Sequence, residues 1–191
     1  MALSPRFQEA LQYAAALHNG QVRKGSGAPY VSHLLGVCSI ALEHGANEDE
    51  AIAALLHDAV EDQGGDPTLD AIRERFGAIV AEIVEGCSDS NTVPKAPWRE
   101  RKERHLAHLR TAGPSVRLVS AADKLHNARS MLSDYHAVGD ALWERFRGKR
   151  DGTLWYYRAF LETMGADGPH KLLAELRRTV AEIEELVNER V

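Results

Sequence analysis

The chain has 191 residues, which corresponds to one domain of ordinary size with room for a substantial core. Apolar residues make up 44% of the sequence and charged residues 27%, as is typical of globular proteins, and a net charge of −5 gives no reason to expect a nucleic-acid partner. The chain has no apolar run long enough for a signal peptide or a membrane span, so a cytoplasmic location is expected and a membrane partner is not.

Helical periodicity dominates the sequence. Ser4 and Pro5 suit the start of a first helix that runs to His18, and a loop rich in glycine and basic residues spans 19–30. The further helices are expected at about 31–44, 48–62, 66–76, 78–86, 98–111, 115–133, 137–147, 153–164 and 169–189.

The sequence contains no convincing pattern of paired strands, so the predicted fold class is all-α. We expect a single helical bundle over 1–191, in which a core of about 5–135 carries the chemistry and helices at about 137–189 pack on it. The longest stretch with loop composition is 87–98, and it is the best candidate for a mobile rim.

The third predicted helix carries an unusual set of polar residues in the segment AALLHDAVED, residues 53–62. His57 and Glu61 are four residues apart, as are Asp58 and Asp62, so each pair shares a helix face. Ionisable groups on a buried helix are costly unless a cation or a basic partner compensates them. A hydrogen-bonded core histidine and a solvated helix end are the plainer alternatives, but acids at a helix C-terminus oppose its dipole.

A further acid, Asp123, lies in an otherwise apolar helical segment, with Asn127 on the same helix face. A buried salt bridge, to Lys124, Arg129 or an arginine elsewhere, would also explain it. His33 enters an apolar helix and by itself indicates nothing. Imidazole and carboxylate together suit a borderline divalent cation such as Mn²⁺, Fe²⁺ or Zn²⁺. Glu61 and Asp62 add two further acids, which a hydrolase needs to orient water and move protons.

Three segments together carry a family resemblance. They are RKGSGAPYVSH from Arg23 to His33, LLHDAVED ending at Asp62, and AADKLHNAR ending at Arg129. The pattern resembles the HD-domain metal-dependent phosphohydrolases, and within them the hydrolase domain of RelA/SpoT homologues and the stand-alone small alarmone hydrolases. The resemblance covers about residues 5–135.

The resemblance implies roles for particular residues. One divalent metal ion, usually manganese, would be bound by His33, His57, Asp58 and Asp123. Glu61 and Asp62 would be the catalytic acids that orient and activate the attacking water. Arg23 and Lys24 would contact the base and phosphates of a purine nucleotide, and Asn127 would also contact it.

The activity implied is hydrolysis of the 3′ pyrophosphate of guanosine tetra- or pentaphosphate, giving GDP or GTP. An HD phosphohydrolase with another purine substrate is an alternative, since an arginine stacks equally well on guanine and adenine. That substrate could be an adenosine analogue of the alarmone, a nucleoside monophosphate or NADPH. A nucleotide sensor without turnover is a third hypothesis, and the presence of Glu61 and Asp62 argues against it.

For three other parts of the sequence, more than one role is consistent with the pattern. The basic cluster from Arg99 to Arg104 could reach distal phosphates, although a solvated helix face is the favoured interpretation. Tyr30 could line the pocket or serve only in packing. In the final third, Arg150, Asp151, Trp155 and Tyr156 could close the pocket, but docking of the last helices on the core is favoured.

Overall fold

The computed structural model describes residues 2–89, 96–165 and 168–189. Its α-helices are α1 Pro5–Leu17, α2 Val31–Glu43, α3 Glu48–Leu56, α4 Ala59–Gln63, α5 Asp66–Phe76, α6 Ala78–Cys87, α7 Trp98–Leu109, α8 Pro114–Val138, α9 Lys149–Met164 and α10 His170–Glu189. A 3₁₀ helix, Gly139–Arg145, joins α8 to α9. Within the described residues, pairing of extended backbone is limited to one bridge between Val22 and Pro29, so the all-α prediction is confirmed.

Helix α3 lies at the centre of the bundle. Every residue from Ala51 to Leu56 is buried, because the segment is apolar on all sides and three of its members are alanines that permit close helix packing. Helices α1, α2, α6 and α8 surround it. The residues that follow α3 are therefore delivered to the interior of the protein.

The predicted continuous helix over 48–62 is wrong at one point. The structure ends α3 at Leu56 and begins α4 at Ala59, and His57 and Asp58 form the turn between them. Asp58 has φ −95° and ψ −4°, a sparsely occupied backbone region in which active-site residues are common. The amide of Asp62 still bonds to the carbonyl of Asp58 at 3.0 Å, so these two residues keep a helical relationship across the break.

Helix α8 is longer than predicted. It continues past the expected end near 133 to Val138, because no glycine or proline interrupts it before Gly139, whose φ of 59° stops the helix. The α-helix expected over 137–147 is therefore also wrong. Asp140 accepts hydrogen bonds from the Tyr135 hydroxyl at 3.0 Å and the Trp143 indole at 3.3 Å, which tie the 3₁₀ helix to the end of α8.

The last two helices cover one side of the bundle. Helix α10 packs along α8 through a stripe of buried residues at helical spacing, which are Leu172, Leu173, Leu176, Val180, Ile183 and Val187. Helix α9 packs on α7 and begins at Lys149, four residues earlier than expected. Half of the predicted 87–98 loop, residues 90–95, lies outside the described residues. In the part of the chain that is described, no helix has both the length and the apolar character needed to cross a bilayer.

A buried arginine ties three helices together. Arg117, near the start of α8, donates hydrogen bonds to the carbonyl of Leu109 at the end of α7, at 2.9 Å, and to that of Met164 at the end of α9. Both carbonyls lie in the last turn of a helix, where backbone carbonyls have no amide donor within their own helix. A positive charge at a helix C-terminus is also favourable.

Replacing this arginine should destabilise the fold. Arg117→Ala leaves two buried carbonyls without donors, and we expect the free energy of unfolding to fall by about 2–4 kcal/mol, measured by urea denaturation. Arg177→Ala is the matched control, because Arg177 donates to the carbonyl of Leu161 in α9 at 3.3 Å from an exposed position. Equal losses in the two variants would contradict the role assigned to Arg117.

Candidate metal centre and active-site cleft

Four side chains from separate parts of the chain meet in the interior. His33 comes from α2, His57 and Asp58 from the turn after α3, and Asp123 from α8. The Nε2 atoms of His33 and His57 lie 3.4 and 3.1 Å from Oδ2 of Asp58, and 3.3 and 3.7 Å from Oδ1 of Asp123. The structure thus brings together all four residues predicted to be metal ligands.

The chemistry of this cluster fits a divalent cation. Ligand atoms of His33, His57 and Asp58 lie within 4.8 Å of one another. His57 Nδ1 lies 2.9 Å from the carbonyl of Ala54, to which it can donate, and its buried Nε2 makes no hydrogen bond within the described residues. This nitrogen lies within 3.7 Å of carboxylate oxygens of Asp58 and Asp123, and a cation held between two imidazoles and two carboxylates would bind all of them.

The electrostatics of the cluster also require a positive charge. Burial alone would lower the pKa of His57, but Asp58 and Asp123 outweigh it and raise that pKa well above its usual value. For Asp58, burial opposes ionisation, but His57 and His33 hold its pKa well below the ordinary range. Burial opposes ionisation of Asp123 as well, but Lys124, His33 and His57 hold its pKa well below the ordinary range, so both carboxyl groups stay ionised.

Neighbouring side chains orient the two carboxylates. The Tyr30 hydroxyl donates to Oδ2 of Asp58 at 2.6 Å, and both burial and this carboxylate raise the pKa of the phenol. Lys124 donates to Oδ2 of Asp123 at 2.5 Å, while Asn127 donates to Oδ1 at 2.5 Å. The salt bridge with Lys124 that the sequence offered as an alternative for Asp123 is therefore present together with the clustered histidines.

A cleft of about 890 Å³ opens over this centre. Glu61 and Asp62, the predicted catalytic acids, both line it, with Asp62 exposed and Glu61 half-buried. Oδ2 of Asp62 accepts a hydrogen bond at 2.9 Å from the side chain of Gln21. Two acids next to a cluster of metal-ligand type are placed to contact water entering the cleft.

The residues predicted to bind substrate lie on one wall of the cleft. The Arg23 guanidinium donates to Oδ1 of Asn127 at 3.0 Å, and Asn127 donates in turn to Asp123. Lys24 is exposed at the rim. The side-chain amide of Asn127 therefore connects the basic loop to the candidate ligand Asp123.

For the opposite wall the sequence offered binding only as the less favoured alternative, for the Arg99–Arg104 cluster and for Tyr156. This wall comes from α7, α8 and α9 and includes Lys102, His105, Lys124, Tyr156 and Tyr157. Burial and the two nearby lysines lower the pKa of His105 to about 3, and Lys102 and Lys124 lie over the Tyr156 ring at 4.9 and 5.6 Å. The buried hydroxyl of Tyr156 has no hydrogen-bond partner within the described residues.

Little in the sequence could have identified this wall. Lys124 was considered only as a partner of Asp123, Tyr156 was assigned to packing in preference to the pocket, and Tyr157 was not singled out. The Tyr156 ring does contact Trp98 and Phe160, with centroids 6.4 Å away in each case, so its packing role is real as well.

The basic cluster at the start of α7 is only partly a solvated face. Arg99 and Arg104 are exposed, and Arg99 stacks on Trp155 at 3.1 Å. Arg101 is buried, however: it pairs with Asp89 and lies 3.6 Å from Oε1 of Glu61. The favoured interpretation was therefore wrong for Arg101, which links the described end of the 87–98 loop to a predicted catalytic acid.

The fold and the centre match a known family. A family model described as HD domain matches residues 10–154, and the chain belongs to that family. Across 126 residues it is 40% identical to the mouse protein named guanosine-3′,5′-bis(diphosphate) 3′-pyrophosphohydrolase MESH1, covering 64% of this chain and 68% of the mouse protein.

Two further comparisons extend this finding. The guanosine-3′,5′-bis(diphosphate) 3′-pyrophosphohydrolase of Aquifex aeolicus is 36% identical over 125 residues, which cover 65% of this chain but only 18% of that longer protein. A solved structure described as a metazoan orthologue of SpoT that hydrolyses ppGpp superposes with a TM-score of 0.74 at 25% identity. That superposition covers 100% of this chain and 98% of the other, so the helices of the final third are part of the shared fold.

The Asp89 ion pairs should make stability depend on pH. Burial opposes ionisation of Asp89, but Lys102 and Arg101 outweigh it and lower its pKa from 3.8 to about 2. Because the folded-state pKa is depressed, this stabilisation is complete above about pH 3.8 and is lost as the pH falls towards 2. Asp89→Asn should therefore lower the free energy of unfolding at pH 7 by on the order of 2 kcal/mol.

Urea denaturation of the wild type and of Asp89→Asn at pH 7 and pH 3 measures this effect. The difference between the two proteins should shrink at the lower pH. Asp70→Asn is the control, because Asp70 pairs with Arg73 at an exposed position and should change stability by less than about 0.5 kcal/mol. A difference of equal size at both pH values would contradict the assignment.

Proposed function

We propose that this protein is a metal-dependent hydrolase whose substrate is guanosine 3′,5′-bis(diphosphate) or its pentaphosphate analogue. Water attacks the 3′ phosphate ester, the ester bond breaks, and the products are pyrophosphate and GDP or GTP. The observation that carries the proposal is the convergence of four ligand-type side chains beside two acids in one cleft. Membership of the HD domain family and the names of the relatives support it.

We propose that His33, His57, Asp58 and Asp123 would hold the ion, and that the ion is Mn²⁺. The mixed imidazole and carboxylate set suits manganese, although it would also accept Fe²⁺ or Zn²⁺. A bound divalent ion would polarise a phosphate oxygen and make water a better nucleophile. The hydroxyl of Tyr30 orients Asp58 by donating to it, and Lys124 does the same for Asp123.

We assign the proton transfer to Glu61 and Asp62. Both line the cleft one turn after the ligand pair, so an attacking water can lie between them and the centre. Gln21 donates to Asp62, and Arg101 lies near Glu61. These contacts hold the two carboxyl side chains in place beside the cleft, where they can orient water.

We assign nucleotide binding to the two walls of the cleft. Arg23 offers a planar cation for stacking on a purine, Asn127 offers an amide for hydrogen bonding, and Lys24 adds charge at the rim. Lys102, Lys124 and Tyr156 line the cleft from the opposite wall, and both lysine ammonium groups lie over the Tyr156 ring. Together they suit the phosphates of a highly charged nucleotide, which explains how an acidic protein can bind one.

Other predictions from the sequence continue as proposals. We propose that the whole chain forms one HD hydrolase domain, and the packing of α10 along α8 supports this. We also propose a cytoplasmic location and a part in the stringent response, both of which accompany the substrate.

The substrate assignment can be tested with a panel of purine phosphates. The purified protein with Mn²⁺ should release pyrophosphate and GDP from guanosine tetraphosphate, as identified by chromatography of the products. The panel should include the adenosine analogue, nucleoside monophosphates and NADPH. Turnover of one of these instead of the guanosine compound would replace the substrate, while binding of every compound without turnover would indicate a sensor.

The role of Asp62 can be separated from metal binding. Asp62→Asn should lower kcat by about 10²- to 10⁴-fold, because a general base is lost, and should leave Mn²⁺ affinity unchanged. Asp58→Ala should instead abolish Mn²⁺ binding, measured by the electron paramagnetic resonance signal of the free ion. Full activity in Asp62→Asn would show that this carboxylate does not handle the proton.

A further inference from the structure

The imidazole of His126 makes a contact with the candidate metal centre that the proposed function does not use. His126 lies on α8, three residues after Asp123, and its Nδ1 atom is 2.9 Å from Nδ1 of His33. The two ring centroids are 4.8 Å apart with an angle of 59° between the planes. Such a short distance between two ring nitrogens requires that one of them carries a hydrogen and the other does not.

The orientation of His33 decides which nitrogen carries it. Nε2 of His33 faces Asp58 at 3.4 Å and Asp123 at 3.3 Å, so Nε2 is the atom that would bind the ion. A neutral imidazole that binds through Nε2 holds its hydrogen on Nδ1. In the described structure, the acceptor opposite that hydrogen is Nδ1 of His126.

We propose that His126 is a positioning residue for the metal centre: its Nδ1 accepts the hydrogen bond of His33 Nδ1–H and so fixes both the tautomer and the ring orientation of His33. The proposal rests on the metal site of the proposed function. Partners of this kind commonly orient metal-binding histidines, although a carboxylate or a backbone carbonyl is the usual acceptor.

A second donor faces the same nitrogen. NH1 of Arg23 lies 3.5 Å from Nδ1 of His126, and NH2 of the same guanidinium donates to Asn127. An arginine cannot accept a hydrogen bond, so this contact also favours a lone pair on Nδ1 of His126. His126 thereby joins the nucleotide-binding loop to the metal centre, and its loss should affect both.

Gly36 provides the space that this arrangement needs. It lies on α2 almost one turn after His33, where α2 packs against α8. A Cβ atom at Gly36 would lie 2.2 Å from Cδ2 and 2.3 Å from Nε2 of His126, which no real contact allows. Any side chain at position 36 would therefore push the imidazole away from its present place beside His33.

Mn²⁺ affinity of the purified protein tests the proposal directly. His126→Leu removes the acceptor at similar size and should weaken Mn²⁺ binding by about 10- to 100-fold, measured by titration with detection of the free ion. His126→Asn should recover most of the affinity, because its Oδ1 can occupy the position of the lost Nδ1. His136→Leu, at an exposed position on the same helix, is the control and should bind Mn²⁺ like the wild type.

A double-mutant cycle with Gly36 gives an independent test that leaves His126 chemically intact. Gly36→Ala should weaken Mn²⁺ binding in the wild-type background, but should add little to His126→Ala, in which no ring remains to be displaced. Thermal unfolding of each ion-free variant shows whether it is folded. The cycle therefore decides the question even if His126→Leu fails to fold.

The outcomes separate this inference from the proposed function. If the wild type itself does not bind Mn²⁺, the metal site of the proposed function is wrong. If the wild type binds and folded His126→Leu binds equally well, or His126→Asn is no better than His126→Leu, then His126 does not position His33. Weaker binding restored by asparagine supports the proposal, because a merely space-filling role would not distinguish asparagine from leucine.

Discussion

The structure depends on the burial of two imidazoles and two carboxylates at the end of an apolar helix. Removing such groups from water costs free energy, and this cost is offset only if each group gains a partner of opposite charge or a hydrogen-bond partner. Helix α3 determines where this happens, because its alanine-rich surface lets four neighbouring helices approach and carries His57 and Asp58 into the interior. Asp123 and His33 reach the same point from α8 and α2.

Surrounding side chains compensate the negative charge of the two carboxylates. Tyr30, Lys124 and Asn127 donate to the carboxylates, and Arg23 donates to Asn127 in turn. On the other side, Asp89 with Arg101 and Lys102 forms a second ionic cluster next to Glu61. Lys102 and Lys124 thus both pair with acids and line the cleft, so side chains that stabilise the centre are among those proposed to bind a phosphorylated ligand.

The two walls of the cleft differ in origin. In one wall each residue is close in sequence to a candidate ligand: Arg23 and Lys24 belong to the loop just before α2, which carries His33, and Asn127 follows Asp123 by one turn of α8. The other combines α7, α8 and α9, and places Tyr156 over the pair Lys102 and Lys124. A family resemblance that ends near residue 135 covers the first wall but not Tyr156, whereas the superposed metazoan structure covers the whole chain.

The sequence by itself determined the all-α class and the approximate helices, because helical periodicity is a local signal, and the family resemblance of three segments supplied the four candidate ligands. The sequence did not determine the break after Leu56, since Asp58 adopts its backbone conformation within a packed interior, nor the extension of α8 to Val138. Only the tertiary structure decided that Arg101 is buried, that Tyr156 faces the cleft and that His126 touches His33 across Gly36. Each of these contacts joins residues on different helices, and the distance between two helices depends on how the whole bundle packs, which periodicity along one chain does not encode.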